Sequence, residues 1–431
     1  MKRWMWLLFA CAVPFLAATL RAAQANGVDA AFEAFWDART PQDAARLVPR
    51  ITASGVSVDE ALKRFKAGRP YSAKVPRGVV RTSYDVNGVE YFYALNVPAS
   101  YDPARPQQVR IQLHGGVSRD GNGPRGDGTI GALAGAEQIY IIPYAWRDAP
   151  WWGDDQIANL RTLVDRVKRT YNVDENRVAL AGVSDGGTGA FYVAMRDTTP
   201  YASFLSLNGF VMVLSSAVGG ELHPNNLRNK PFFIVNGGLD QLYPTRIVDP
   251  YVEHLKTGVD LVYRPQPTGA HNTAWWPDVR DSFEAFVRAH PRNPLPDTLT
   301  WESAGLPLDS RASWLVIDKL APRNGAEAPL PDLNRMGTRG LLMFENTQAS
   351  GRVDLVRTGN TVKATTRGVA ELTLLLSPDV FDLGKPVRVE TNGQVAFEGL
   401  APPSVATLAK WAAHDNDRTM LFGAEIHVRV R

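Results

Sequence analysis

Between residues 78 and 293, short apolar runs alternate with stretches of helical periodicity, and this alternation restricts the fold more than any other feature of the chain. The runs at 91–97, 109–113, 138–143, 177–183, 204–207, 232–235 and 260–264 are rich in β-branched and aromatic residues, as buried strands require. The stretches at 155–171, 186–195 and 279–289 repeat their apolar residues at helical spacing instead. Strands separated by helices need crossover connections, so the predicted fold class is α/β, with a mostly parallel sheet covered by helices on both faces.

Both flanks have a different character. Residues 28–38, 41–51 and 59–67 read as three short helices, too few for a substantial core, which are expected to pack on the α/β region after them. Pro291, Pro294 and Pro296 break the chain after the last helix. Beyond them lie alternating runs at 352–356, 372–376 and 387–390, with Gly359-Asn360 and Asn392-Gly393 placed as two-residue hairpin turns. One late helix is predicted around 405–413. The expected division is therefore a leader at 1–25, a helical segment at 26–77, the α/β domain at 78–293, and a C-terminal β-rich, sandwich-like domain at 294–431.

The leader itself has a short positive start (Lys2, Arg3), an apolar stretch over 4–20, and the small-residue site Ala23-Gln24-Ala25. That pattern predicts an export signal cleaved near Ala25, giving a periplasmic or secreted protein; Pro14 and the cleavage site argue against a stable membrane anchor. Leu8-Phe9-Ala10-Cys11 is a poor lipoprotein box, because Phe9 fits it badly and the apolar run continues past it. Cys11 is the only cysteine among 431 residues, so the mature chain is expected to have no disulfide, thiolate metal site or cysteine nucleophile. A net charge of +3 with no dense Lys/Arg block gives no reason to expect a nucleic-acid partner.

Chemistry enters at Gly182-Val183-Ser184-Asp185-Gly186, which fits G-x-S-x-G. The match means little alone, but here a buried strand runs straight into Ser184 and a Gly/Ala-rich helix leaves it. Such an elbow strains the serine backbone and exposes its hydroxyl at the carboxyl end of the sheet. A serine hydroxyl becomes a useful nucleophile only when an oriented base takes its proton. The strand 232–235 leads through Asn236-Gly237-Gly238-Leu239 to Asp240, on the same rim, and Pro244 is placed to open the next helix. Gly269-Ala270-His271-Asn272 lies between the last strand and the last helix, where a base would complete the order serine, acid, histidine. His254 and His290 fall within or at the end of helices, His414 and His427 lie in the β-rich part, and His223 precedes Asp240. Ser184, Asp240 and His271 are thus the candidate catalytic residues. The candidate oxyanion donors are the N–H of Asp185 and the strand-end glycines Gly115 and Gly116, with the adjoining His114 read as structural. The Gly-rich loop at 120–128 lacks the spacing of a calcium loop, and no zinc, nucleotide or dinucleotide motif appears in context, so no metal and no cofactor is expected.

On His114-Gly115-Gly116, Gly182-Val183-Ser184-Asp185-Gly186-Gly187, Gly238-Leu239-Asp240 and Gly269-Ala270-His271-Asn272-Thr273-Ala274-Trp275-Trp276, the chain resembles bacterial α/β-hydrolases of the esterase, predicted-peptidase and polyhydroxybutyrate-depolymerase-like kind. The resemblance spans about 78–291. It implies an α/β-hydrolase sheet and ester hydrolysis through an acyl-enzyme, with a small or polymeric ester as substrate; it leaves that ester and the oligomeric state open. Alternatives are a serine peptidase related to prolyl oligopeptidases, although the large N-terminal propeller of that group is missing, or a binding protein that kept the fold. Trp146, Trp151 and Trp152 follow one strand and Trp275 and Trp276 follow His271, so both groups are candidates for a flat apolar substrate wall. Equally, the rings can serve to pack their loops onto the body. The β-rich part carries no recognisable nucleophile and reads as a scaffold or binding module, whose removal is expected to spare turnover of small esters.

Overall fold

The computed structural model describes residues 27–430 apart from 87, 125, 219–221, 306–307 and 323–329, so the leader expected at 1–25 lies outside the described residues. Three helices come first: α1 over 27–37, α2 at Pro41–Ala53 and α3 at Val58–Ala67. Next come β1 (Gly78–Val86), β2 (Val89–Val97), β3 (Gln107–Leu113), β4 (Ile139–Pro143), α4 (Asp154–Thr170), β5 (Val173–Val183) and α5 (Asp185–Arg196). After these stand β6 (Ser203–Leu207), the single turn α6 (Leu214–Ala217), β7 (Phe232–Val235), α7 (Thr245–Leu255), β8 (Leu261–Tyr263) and α8 (Trp276–Ala289).

These strands form one eight-stranded sheet in the order β1-β2-β4-β3-β5-β6-β7-β8. β1 and β2 are antiparallel to their neighbours, while β3 to β8 run parallel. Successive side chains of each central strand point to opposite faces, and both faces are apolar. Val178 and Leu180 of β5, Phe204 of β6, and Phe232 and Ile234 of β7 pack with α4, α5 and α7. Ala179 and Ala181, Leu205 and Leu207, and Phe233 and Val235 face the other way and pack under α8. There Phe233 sits between Phe283 and Phe286, at ring-centroid distances of 5.6 and 5.3 Å. A mostly parallel sheet in this order, with helices on both faces, is the α/β-hydrolase fold.

The rest of the chain contributes β9 (Thr298–Ser303), β10 (Arg311–Ala312), β11 (Leu315–Leu320), β12 (Arg335–Met336), β13 (Leu341–Leu342), β14 (Gly351–Thr358), β15 (Thr361–Arg367), β16 (Val369–Leu376), β17 (Val387–Thr391), β18 (Gln394–Gly399), α9 (Val405–Asp415) and β19 (Ala424–Arg429). A five-stranded sheet, β18-β17-β15-β14-β9, and a four-stranded sheet, β10-β11-β16-β19, share a core that includes Trp301, Trp314, Leu355, Leu374, Val389 and Phe422. This is the expected β-rich sandwich. Its two short hairpins close at Gly359 (φ 57°) and at Asn392-Gly393 (φ 51° and 81°), the left-handed conformations such turns require.

The first three helices depart from the simplest expectation. Their core is shared with a helix near the other end of the chain: Phe32, Phe35 and Phe65 pack with Leu408, Ala409 and Ala412 of α9. A three-helix segment buries too little by itself, and α9 supplies the missing apolar face.

Candidate active site

Each of the three candidate catalytic residues stands just beyond the carboxyl end of a parallel strand. Ser184 follows β5, Asp240 follows β7 and His271 follows β8. The structure brings them together: His271 Nε2 lies 2.8 Å from Ser184 Oγ, and His271 Nδ1 lies 2.7 Å from Asp240 Oδ2. The carboxylate of Asp240 is buried, and its second oxygen accepts from the Leu242 and Tyr243 N–H groups at 2.8 and 2.9 Å. With both oxygens held, the carboxylate has one orientation, and it fixes the tautomer and plane of the imidazole. The His271 side chain keeps 24% of its surface exposed, enough to meet a ligand at Ser184.

The backbone around Ser184 explains the glycines. Ser184 itself has φ 55° and ψ −118°, a conformation that costs a non-glycine residue about 1–3 kcal/mol and that must be held by its surroundings. A Cβ on Gly182 would lie 2.0 Å from the Gly186 carbonyl oxygen, and one on Gly186 would lie 2.3 Å from that of Leu113. The elbow therefore closes only with hydrogen at both positions.

Gly115 also meets Ser184. A Cβ on Gly115 would fall 2.9 Å from the Ser184 Cβ, so this backbone lies directly against the nucleophile candidate. His114 braces it. Nε2 accepts from the Ala145 N–H at 3.1 Å, which leaves the proton on Nδ1 to be donated to the Gly115 carbonyl at 2.8 Å. In a trans peptide the N–H points opposite to the C=O, so this bond turns the Gly116 N–H away from His114. Asp185 opens α5, where helix geometry leaves the N–H groups without intrahelical acceptors. Its side chain does something the motif did not reveal: Oδ2 accepts from the Val117 N–H at 2.9 Å and ties the helix start to the glycine loop.

The tryptophans require a correction. Trp146, Trp151, Trp275 and Trp276 are 6%, 0%, 6% and 4% exposed, and none presents a free ring face. Trp151 donates to the His114 carbonyl at 2.7 Å and is admitted by Gly189, whose added Cβ would lie 2.5 Å from its own. Trp146 packs on Tyr91, and Trp276 packs edge-on against Phe283 while its Nε1 donates to Ala134. Trp275 is buried in the core under α8. Trp152 is half-buried against the main core. Large rings gain most by leaving water, and here four of the five do so.

Other residues border the site instead. Leu239 and Leu242 bracket Asp240 and are 64% and 56% exposed. The Tyr243 ring lies 5.7 Å from that of His271, edge-on, and Phe210 lies 5.9 Å beyond it. Burial pushes the Tyr243 phenol up, and the charges of Asp185 and Asp240 add to the shift. Asn208, at φ 48°, donates from Nδ2 to the Asn272 carbonyl at 2.8 Å and joins the end of β6 to the histidine loop. Their position immediately after strands β6 and β7 was the available signal. Among the described residues, no group of three or more His, Asp or Glu side chains is placed to hold a metal ion.

No family model and no curated protein matches the chain. Among solved structures it is similar to a thermostable esterase, with a TM-score of 0.41 and 19% identity over 50% of this chain and 63% of that one. It is also similar to esterase 2 of Thermogutta terrifontis in its apo form, with a TM-score of 0.40 and 16% identity over 49% of this chain and 94% of the other. The chain thus spans less than two thirds of the length of the first of these structures.

Proposed function

We propose that the chain is an exported serine hydrolase that cleaves carboxylic esters through an acyl-enzyme. One observation carries this reading: the unbroken relay from Asp240 through His271 to Ser184, at 2.7 and 2.8 Å, on three strand ends of one sheet. In the first half-reaction Ser184 Oγ attacks the ester carbonyl while His271 Nε2 takes its proton. The tetrahedral oxyanion that forms is met by the N–H of Asp185 and by the backbone of Gly115 and Gly116. His271 then returns the proton to the departing alkoxide, and the alcohol leaves. In the second half a water attacks the acyl-serine with His271 again as base, and the carboxylic acid departs as Ser184 recovers its hydrogen.

Exposed Leu239 and Leu242 give the border beside Asp240 an apolar surface that suits the acyl or alkoxy part of an ester. Export rests on the leader pattern ending at Ala25.

The test is labelling with a fluorophosphonate and identification of the modified residue. Labelling of Ser184 that needs intact His271 is the expected result, and a chain that takes up no label is a binding protein. Turnover of p-nitrophenyl esters against peptide anilides then separates esterase from peptidase.

A further inference from the structure

The parallel strands have a second end, and there the seam between the sheet and the β-rich half encloses a cavity of about 240 Å³. Its walls include Thr198, Lys230 and Asp260, which precede β6, β7 and β8, together with His290 at the end of α8 and Ser313 across the seam. Asp240 and His271 follow the opposite ends of β7 and β8, and the four residues of β7 alone span roughly 13 Å. The cavity is therefore separate from the candidate active site.

Lys230 gives this cavity its chemistry. The half-buried Lys230 side chain lines the cavity, and no hydrogen bond or ion pair among the described residues reaches its ammonium. The nearby carboxylates are committed elsewhere: Asp197 to Arg161 at 2.6 Å and Asp417 to Arg292 at 2.8 Å. Asp260 lies 3.6 Å from His290 Nε2 and is 69% exposed. Burial, with the like charge of Arg292, brings the Lys230 ammonium down to about 7. Thr198 lines the same cavity, and its hydroxyl is buried without a hydrogen-bond partner. The remaining wall is mainly apolar, with Pro231, Pro294, Pro296 and Leu299.

We propose that this cavity binds a small organic carboxylate, its anionic head on Lys230 and the Thr198 hydroxyl and its short apolar tail along the prolines. One point charge and one hydroxyl suit a singly charged head. A phosphate calls for a free guanidinium fork, and the Nε, Nη1 and Nη2 of Arg292 are all engaged, with Asn176, Thr199, Asp417 and Thr419. An anion beside Lys230 holds the proton on its amine. The other charged groups near that amine are Arg292 and Asp417, which pair with each other, Asp197, which pairs with Arg161, and His290 with Asp260 at the cavity wall. Affinity should therefore be full below pH about 7 and fall as the pH rises above it, with net proton uptake on binding at alkaline pH.

Calorimetry of the full mature chain with butyrate tests this, with butyramide as the neutral control. The expected result is butyrate binding that takes up a proton at about pH 8, no binding of butyramide, and roughly tenfold or greater weakening in Lys230→Gln, with a smaller loss in Thr198→Val. Equal binding by Lys230→Gln overturns the proposal, as does binding of butyramide. Should Lys230→Gln fail to fold, proton uptake by the unmodified chain decides: butyrate binding without it at about pH 8 is an equal refutation.

Discussion

At Ser184 a strained backbone (φ 55°) and a hydrogen bond to His271 coincide, as the proposed role of nucleophile requires. Replacing Ser184 or His271 by Ala is expected to lower kcat on an activated ester by about 10⁴-fold or more, and the double variant should be scarcely worse than either, because relay members act as a unit. Near-normal turnover by Ser184→Ala would remove the assignment. Asp240→Asn should be similarly severe, since the imidazole loses the acceptor that fixes its tautomer. These residues were legible in the sequence because their signal is local: strand, sharp turn, then a side chain of one type. The tryptophans were not, since whether a ring packs inward depends on a distant partner such as Gly189 for Trp151. Lys230 was equally hidden, and it permits a stability prediction with a definite sign. Its amine titrates near 7 in the folded chain, below its unfolded value of about 10.4. Between those values the unfolded chain binds more protons, so stability rises with pH across that window. Lys230→Met should therefore stabilise the protein by on the order of a few kcal/mol below pH about 7, and the gain should vanish above pH about 10. Denaturant melts at three pH values check both the gain and its disappearance.

Among the elements, the strands buried on both faces carry the clearest signal in the sequence. β5, β6 and β7 are nearly continuous apolar runs because helices cover them on each side. β1 was missed. Its residues are half-buried or exposed at the edge of the sheet, so no apolar run or strict alternation marks it. β9 was missed for a related reason: its buried residues include Thr300, Glu302 and Ser303, which Asn226, Asn229 and Asp309 satisfy from elsewhere in the chain. Packing at the elbow is tight, and it makes a prediction for the β5–α5 unit as a whole. Gly186→Ala would force a methyl to within 2.3 Å of the Leu113 carbonyl oxygen, where only backbone can yield. Moving that backbone separates β3 from the start of α5 and shifts Gly115 against Ser184. The variant should lose at least about 1–3 kcal/mol of stability and nearly all activity, even well below its melting temperature. A Gly186→Ala protein that melts and turns over like the parent would mean that the elbow is looser than its contacts require.

Over the whole molecule, charge buried along the seam makes one folding unit of parts that the sequence presented as separable. Arg196 of α5 pairs with Asp309 at 3.1 Å, with both side chains almost wholly buried. Arg292 pairs with Asp417 at 2.8 Å, and Glu175 of β5 takes Arg418 at 2.7 Å. Asn225 and Asn226 donate to Glu302 on β9, and Lys168 of α4 donates to the Asp415 carbonyl at the end of α9. Composition and periodicity could mark the boundary near Pro291, because prolines and a change of period are local. They could not reveal partners more than a hundred residues away, nor the sharing of one core by α9 and the first three helices. The expectation that the β-rich part can be removed harmlessly therefore changes. A chain ending at Arg292 keeps Glu175 without Arg418 and Arg292 without Asp417, and leaves Arg196 with Asp154 but without Asp309. It also leaves Phe32, Phe35 and Phe65 without the face of α9. Breaking one buried pair costs about 3–5 kcal/mol, and a typical domain has only about 5–15 kcal/mol in total. The truncated chain should accordingly fail to melt cooperatively and should be inactive on a small ester for want of a fold rather than of a residue. In the intact protein, loss of activity on heating should coincide with loss of the circular dichroism signal, because seam and sheet open together. A 27–292 fragment that melts sharply within a few degrees of the full chain and matches the full chain's turnover of a small ester would refute this view and restore the sandwich to the status of a detachable module.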